Sequence, residues 1–388
     1  MKIAFFSWES LHSIAVGGIA AHVTELAAAL ERKGNEVHVF TRMGAGQHMH
    51  ERIDGVYYHR CPFPLNHDFI EEVTGMCRSF VDCLWESEDY SGPFDVVHAH
   101  DWLTAKALAW AKDGRGRRGV FTMHSTEYGR CGNQHWEGRS SQIRSYEWEG
   151  TFRADRVITV SQSLKQEVMN LYQTPEWKTR VIYNGVMSYR FNGWVDPGAV
   201  KARYGIGCMD PTFLYVGRMA YQKGVDLLVE AIPAALAFNP HAKFVFVGDG
   251  DMRMGLEDRC RALGISHAVR FLGYISESEV IDLYRACDAV CVPSRNEPFG
   301  IVILEAWSAG KPVIATQNGG PEELVWHDIT GLKVFAAPSS IAWGLRALMS
   351  DFEHGRWMGR NGRFAVDTAF SWDHAAAKTL DVYHELGI

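Results

Sequence analysis

Short, continuously apolar runs alternate with longer amphipathic stretches along the chain. Lys2–Ser7 reads as a strand, Val16-Gly17-Gly18 as a loop, and Ile19–Lys33 as a helix with Gly34 as its stop; Glu36–Phe40 is the next strand. Phe94–His98, Gly119–Met123 and Arg156–Val160 continue the series. Because these runs are apolar throughout rather than alternating, they predict parallel strands covered on both faces. Turn signals crowd the stretch from Asn184 to Asp210: Asn184-Gly185, Asn192-Gly193, Asp196-Pro197-Gly198, Gly205 and Gly207. They place a domain boundary there. Strands then resume at Thr212–Val216, Lys243–Val247, Val269–Leu272, Ala289–Val292 and Pro312–Ala315. Helices Val225–Ala237, Met252–Leu263, Glu277–Ala286 and Ile301–Ala309 fall among them, and Ser371 is suited to cap a last helix reaching about Leu386. Strand–helix alternation of this kind predicts an α/β protein with two Rossmann-like, doubly wound domains, 1–190 and 195–370, facing a central cleft.

The 388 residues suit two domains, and 47% hydrophobic residues supply large cores without disulfide or metal staples. A net charge of −7 argues against non-specific nucleic-acid binding, which rests on clustered Lys and Arg. The only dense basic run, Arg115-Gly116-Arg117-Arg118, is broken by glycine and reads as a solvated loop. No stretch approaches the ~20 apolar residues of a membrane helix. The first apolar run is too short for a signal peptide, so it is expected to be the first strand of a cytoplasmic protein. Eight cysteines without CxxC spacing are expected to be reduced, buried thiols.

Four constellations carry candidate chemistry, each just after a strand, where ligands sit in such sheets. Gly17-Gly18 opens a helix and offers close backbone approach and free N–H groups to an anion such as phosphate. It is neither a GxGxxG fingerprint nor a P-loop. Gly217-Arg218-Met-Ala-Tyr-Gln-Lys223-Gly224 supplies two cations able to hold a diphosphate. Glu297-Pro298-Phe299-Gly300-Ile301, continuing to Glu305, forms an E-x7-E pattern. Eight helical positions are about 80° past two turns, so both carboxylates can share one face. The amides of Phe299, Gly300 and Ile301 begin a helix and can donate to a ligand. Glu305, alone in an apolar segment, needs a partner, and a ligand hydroxyl would serve. Finally, His98-Ala-His100-Asp101-Trp102 and His124-Ser-Thr-Glu127-Tyr-Gly-Arg130 follow two strands. A His-x-His pair is a metal fragment, but no third ligand stands at a characteristic spacing, so no metal site is expected. Asp249-Gly250-Asp251 reads as a turn rather than a metal-binding DxD.

Together these features resemble the retaining glycosyltransferases of family 4, which have the GT-B fold, over nearly the whole chain. The resemblance implies that Arg218 and Lys223 bind the donor diphosphate and that Gly17 and Gly18 lie against its phosphates. It implies that Glu305 holds the ribose, and that Glu297 with the Phe299–Ile301 amides holds the sugar. Leu272-Gly273-Tyr274 would flank the base. His124 would lie beside the anomeric carbon and, with Glu297, Arg218 and Lys223, form the catalytic set. Asn318-Gly319-Gly320-Pro-Glu322 matches the family's late loop, and segment 372–388 would cross back onto the first domain. Within the family the chain is similar to short glycogen and starch synthases: His100-Asp101-Trp102 matches their HDW segment, and His124 to Arg130 their His-x-Thr-x-x-Gly-Arg stretch. Glu127 and Arg130 join His100, Asp101 and Trp102 on the acceptor side. Ala15-Val16 precede Gly17-Gly18 where many bacterial synthases carry Lys-x. The implied activity is glucosyl transfer, with retention, from UDP- or ADP-glucose to the non-reducing end of an α-1,4-glucan, with no cofactor and no obligatory metal. Alternatives are a family-4 transferase with a lipid, sugar-phosphate or small-molecule acceptor, and a GT-B epimerase.

Overall fold

The computed structural model describes residues 1–388. The chain forms two compact units: Met1–Gly185 with Trp372–Ile388, and Val186–Ser371.

The first unit is built on eight strands: β1 (Lys2–Phe6), β2 (Glu36–Arg42), β3 (His50–Ile53), β4 (Val56–Cys61), β5 (Val96–His100), β6 (Arg118–Met123), β7 (Arg156–Thr159) and β8 (Thr179–Val181). Their order is β3-β4-β2-β1-β5-β6-β7-β8. All pairs are parallel except β3 with β4. The chain winds one way from β1 through β2 and the other way from β5, so the topological switch lies between β1 and β5. The second unit contains β9 (Thr212–Val216), β10 (Lys243–Val247), β11 (Val269–Gly273), β12 (Ala289–Val292), β13 (Val313–Thr316) and β14 (Gly331–Val334). This sheet is wholly parallel, in the order β11-β10-β9-β12-β13-β14, with its switch between β9 and β12. Both interiors are close-packed; Phe213, Phe244 and Phe246 of the second sheet are fully buried.

Three differences from the sequence reading have physical causes. Strand β5 starts two residues later than expected. Phe94 is apolar, but it lies in the preceding loop with its ring edge against His38 and Phe40. That shift puts His100 on the strand itself. The β3–β4 hairpin went unread although Asp54-Gly55 is a strong turn signal; both residues have positive φ, 50° and 80°, as a type I′ turn requires. Helix Phe69–Ser91 also went unread, with Asp68 capping its first amides.

Candidate functional site

The second unit gathers its candidates at the carboxyl ends of β9, β11 and β12. The loops after β9 and β12 are locked together through their backbones. The Arg295 amide donates to the Gln222 carbonyl at 2.8 Å, and a Cβ on Gly224 would lie 2.1 Å from the Pro293 carbonyl oxygen. With φ +61°, Gly224 therefore tolerates no side chain. Arg295 is bound bidentately to Asp226 and covers the Tyr221 ring, so it is a structural cation. Lys223 donates to Glu297 Oε2 at 2.7 Å, and Ser294 donates to the same oxygen at 3.0 Å. Glu297 is 8% exposed. The late loop positions it: the Glu297 amide donates to the Asn318 carbonyl, and the Gly320 amide to the Glu297 carbonyl at 2.7 Å. Arg218 is exposed, and its guanidinium makes no ion pair.

Gly300, with φ +99°, caps helix Ile301–Ser308, whose first amides have no intrahelical acceptor. Phe299 is buried, Leu272 half-buried, and Tyr274 81% exposed at the end of β11. Glu305 differs from the expectation. The Tyr284 hydroxyl donates to its Oε2 at 2.6 Å, so the protein itself supplies the partner that its apolar setting demands. Burial still raises its pKa above the ordinary carboxylate value. Asp249 accepts from the Gly250 amide and pairs with Arg253, as a turn residue does.

The first unit gathers its candidates beyond β1, β5 and β6. Here the structure alters the reading of the Gly17-Gly18 loop. Buried Glu9 already accepts from the amides of Val16 and Gly17, both at 2.6 Å, so an internal carboxylate fills the anion-binding turn. Gly18 begins helix Gly18–Arg32. His98 joins Thr122 at 2.6 Å and the Tyr383 hydroxyl at 2.7 Å, tying β5 to helix Trp372–His384. Trp102 is buried, with its ring against Phe69 and Tyr146. Asp101, with φ 63°, accepts from the Trp102 amide and faces Arg130 at 3.8 Å. Arg130 also binds Glu127 at 3.1 Å and Glu147 at 2.6 Å. Glu147 is wholly buried and accepts from the Glu127 amide and the Tyr172 hydroxyl as well. Asp101, Glu127 and Arg130 are thus engaged in an internal ion network rather than directed at solvent.

Spacing along the chain offers the His98-x-His100 fragment no third ligand; in the fold His98 is engaged by Thr122 and Tyr383, and His100 instead meets His124 and His22. Ring nitrogens of His22, His100 and His124 all lie within 4.8 Å of one another. His100 Nδ1 and His124 Nε2 are 3.3 Å apart, and His22 Nδ1 contacts Asn184 Oδ1 at 2.8 Å. His22 comes from helix Gly18–Arg32, about 80 positions before His100, so no local spacing reveals it. Its only sequence signal is a polar residue among the apolar ones of the helix, and Thr24 and Glu25 are buried there as well. Glu147 gave a similar signal, sharing the buried face of helix Arg139–Arg153 with Ile143 and Gly150.

Burial lowers His22 to about 4 and drives His98, His100 and His124 well below the ordinary histidine value, so the folded cluster is neutral. The unfolded chain takes up these protons below about pH 6.5 while the native state does not. Stability is therefore full above pH 6.5 and is lost as pH falls toward 4, by up to about 3 kcal/mol for His22 alone. Thermal melts between pH 7.5 and 4.5 should show the first unit's midpoint falling across that window. A flat midpoint would contradict the neutral cluster.

Comparison with known proteins agrees in both units. The family Glycosyltransferase Family 4 matches residues 16–188, and the family Glycosyl transferases group 1 matches residues 199–364. An uncharacterized glycosyltransferase of Methanocaldococcus jannaschii is 38% identical, covering 99% of this chain and 98% of its own. The glycogen synthase of Mycobacterium tuberculosis is 29% identical over 99% of this chain and 94% of its own. A D-inositol 3-phosphate glycosyltransferase of Kineococcus radiotolerans is 30% identical over 95% and 90%. Among solved structures, sucrose-phosphate synthase from Thermosynechococcus elongatus superposes with a TM-score of 0.84 at 25% identity, covering 99% of this chain and 98% of that one. Anabaena HepE, solved with UDP and glucose, gives 0.81 at 21% identity, covering 99% and 100%.

Proposed function

The chain belongs to the family 4 glycosyltransferases, and from that premise we propose that it is a retaining glucosyltransferase. It moves glucose from UDP- or ADP-glucose to the non-reducing end of an α-1,4-glucan, in a reducing cytoplasm that suits its eight unpaired cysteines. The Lys223–Glu297 ion pair, with exposed Arg218 beside it in sequence, is the observation that carries this reading.

The pair explains how one site accepts both a sugar and a diphosphate. Lys223 uses one of its three N–H donors on Glu297, which leaves two for phosphate oxygens. It also neutralises the Glu297 carboxylate, so the donor's negative charge is not repelled. Glu297 Oε1 and the amides at Gly300 and Ile301 then accept from and donate to the sugar hydroxyls. Glu305 takes the ribose, and Tyr274 and Leu272 flank the base. As the glycosidic phosphate bond breaks, Arg218 and Lys223 stabilise the charge building on the leaving diphosphate, and transfer needs no metal cofactor. The acceptor hydroxyl attacks from the face the leaving group vacates and gives its proton to that phosphate oxygen, so configuration is kept.

The full-length match to a glycogen synthase supports the glucan acceptor, and the UDP and glucose in the HepE structure support a uridine donor. A sugar-phosphate acceptor is the second reading, favoured by the 30% identity to an inositol-phosphate transferase and by Ala15-Val16 before Gly17. The test is nucleotide release from UDP-glucose, ADP-glucose, GDP-mannose and UDP-N-acetylglucosamine, with and without maltooligosaccharide. Release from a glucose donor that requires the oligosaccharide and lengthens it supports the proposal. Release or donor conversion without acceptor overturns it in favour of an epimerase. Arg218→Ala should raise the donor KM by on the order of tenfold or more, as loss of a charge-assisted contact implies. An unchanged KM would remove Arg218 from the diphosphate site.

A further inference from the structure

We propose that His22, His100 and His124 form a binding site for a borderline divalent transition ion of the zinc type. This goes beyond the transfer reading and does not depend on it.

The geometry is close to what such an ion requires. A tetrahedral zinc with Zn–N bonds of about 2.0–2.1 Å separates its nitrogens by about 3.3 Å. His100 Nδ1 and His124 Nε2 already stand 3.3 Å apart, and all three ring nitrogens are mutually within 4.8 Å. Closing separations of at most 4.8 Å to about 3.3 Å brings all three nitrogens onto one ion.

His22 is prepared as a ligand. It is 5% exposed, and its Nε2 is buried without a hydrogen-bond partner. Its Nδ1 faces the Asn184 side-chain oxygen, which can only accept. The ring proton therefore sits on Nδ1, and Nε2 presents a bare lone pair. This is the second-shell arrangement that fixes tautomer and orientation in histidine metal sites. The rings are also held by packing: Trp372 meets His22 edge-on at 5.4 Å, and Phe5 meets His100 at 4.8 Å. His100, 1% exposed, has a second unpartnered nitrogen in Nε2.

The donor set selects the ion. Three neutral imidazoles favour zinc, cobalt, nickel or copper, whereas magnesium and calcium require oxygen ligands. Three protein ligands leave the fourth position for water or an anion.

The test uses the full chain after chelator treatment, titrated with Co2+ while visible absorption is followed, and with Zn2+ in competition against a chromophoric chelator. One ion per chain, with the spectrum of tetrahedral nitrogen-ligated cobalt and no displacement by excess Mg2+, is expected. His22→Gln and His124→Ala should each weaken binding at least tenfold, and Asn184→Ala by roughly 10-fold as a second-shell loss. Half-buried His124 serves as the less disruptive substitution should His22→Gln unfold the protein. His50→Ala, in the separate His38–His59–His50 stack, should leave affinity unchanged. Absence of one-to-one binding, full affinity in folded His124→Ala, or loss of binding in His50→Ala would overturn the site.

Discussion

Replacing Glu297 by alanine is expected to cut turnover by roughly 10²–10³, as removal of a preorganised polar group at a reacting centre does, while leaving the melting temperature nearly unchanged. The two effects separate because the side chain and backbone of Glu297 do different work. Its backbone ties the loop after β12 to the late loop through Asn318 and Gly320, and those bonds survive the substitution. The Cβ that Gly319 lacks would lie 2.2 Å from the Glu297 carbonyl oxygen, so the two segments meet through main chain alone. The side chain, by contrast, holds Lys223 and is the group proposed to bind the sugar. Its loss also releases Lys223, whose proposed hold on the diphosphate weakens, so donor KM should rise while kcat falls. Steady-state kinetics with the best donor, set beside a thermal melt, decide the matter. Near-normal kcat in a folded variant removes Glu297 from the chemistry.

Glu147→Ala should behave in the opposite way, lowering stability by about 3–5 kcal/mol, the cost of breaking a buried ion pair from one side. Glu147 is fully buried and answers Arg130, the Glu127 amide and the Tyr172 hydroxyl together. Removing it strands a guanidinium and a phenol in the interior. For a unit of this size the midpoint should drop by roughly 10 °C. Glu147→Gln keeps an acceptor for the amide and the phenol and should lose less. A drop of only a degree or two in Glu147→Ala would mean that water or Glu127 takes over the Arg130 charge.

Strands β9, β10 and β12 and helix Glu277–Ala286 have the bounds that the sequence pattern predicts. The strands are buried on both faces, and burial is what an apolar run records. The β3–β4 hairpin leaves no such run because β3 is exposed and polar, while β4 alternates buried with half-buried positions. The Gly217–Gly224 loop and the Glu297 loop were legible because their chemistry is local: glycine where backbones meet, cations and carboxylates just after strands.

The sequence by itself determined the α/β class, the parallel sheets and which loops carry charge, since each follows from short-range patterning of side chains. Only the tertiary structure decided what those side chains face. It placed Glu9 in the glycine turn, gave Glu305 to Tyr284, drew Asp101, Glu127 and Arg130 into the interior around Glu147, and brought His22 to His100 and His124. In each case the partners lie on elements separated in sequence by a turn, a strand or a whole crossover. Hydrogen bonds and ion pairs act over a few ångströms of space, so spacing along the chain cannot report them until the sheets have brought their strand ends together.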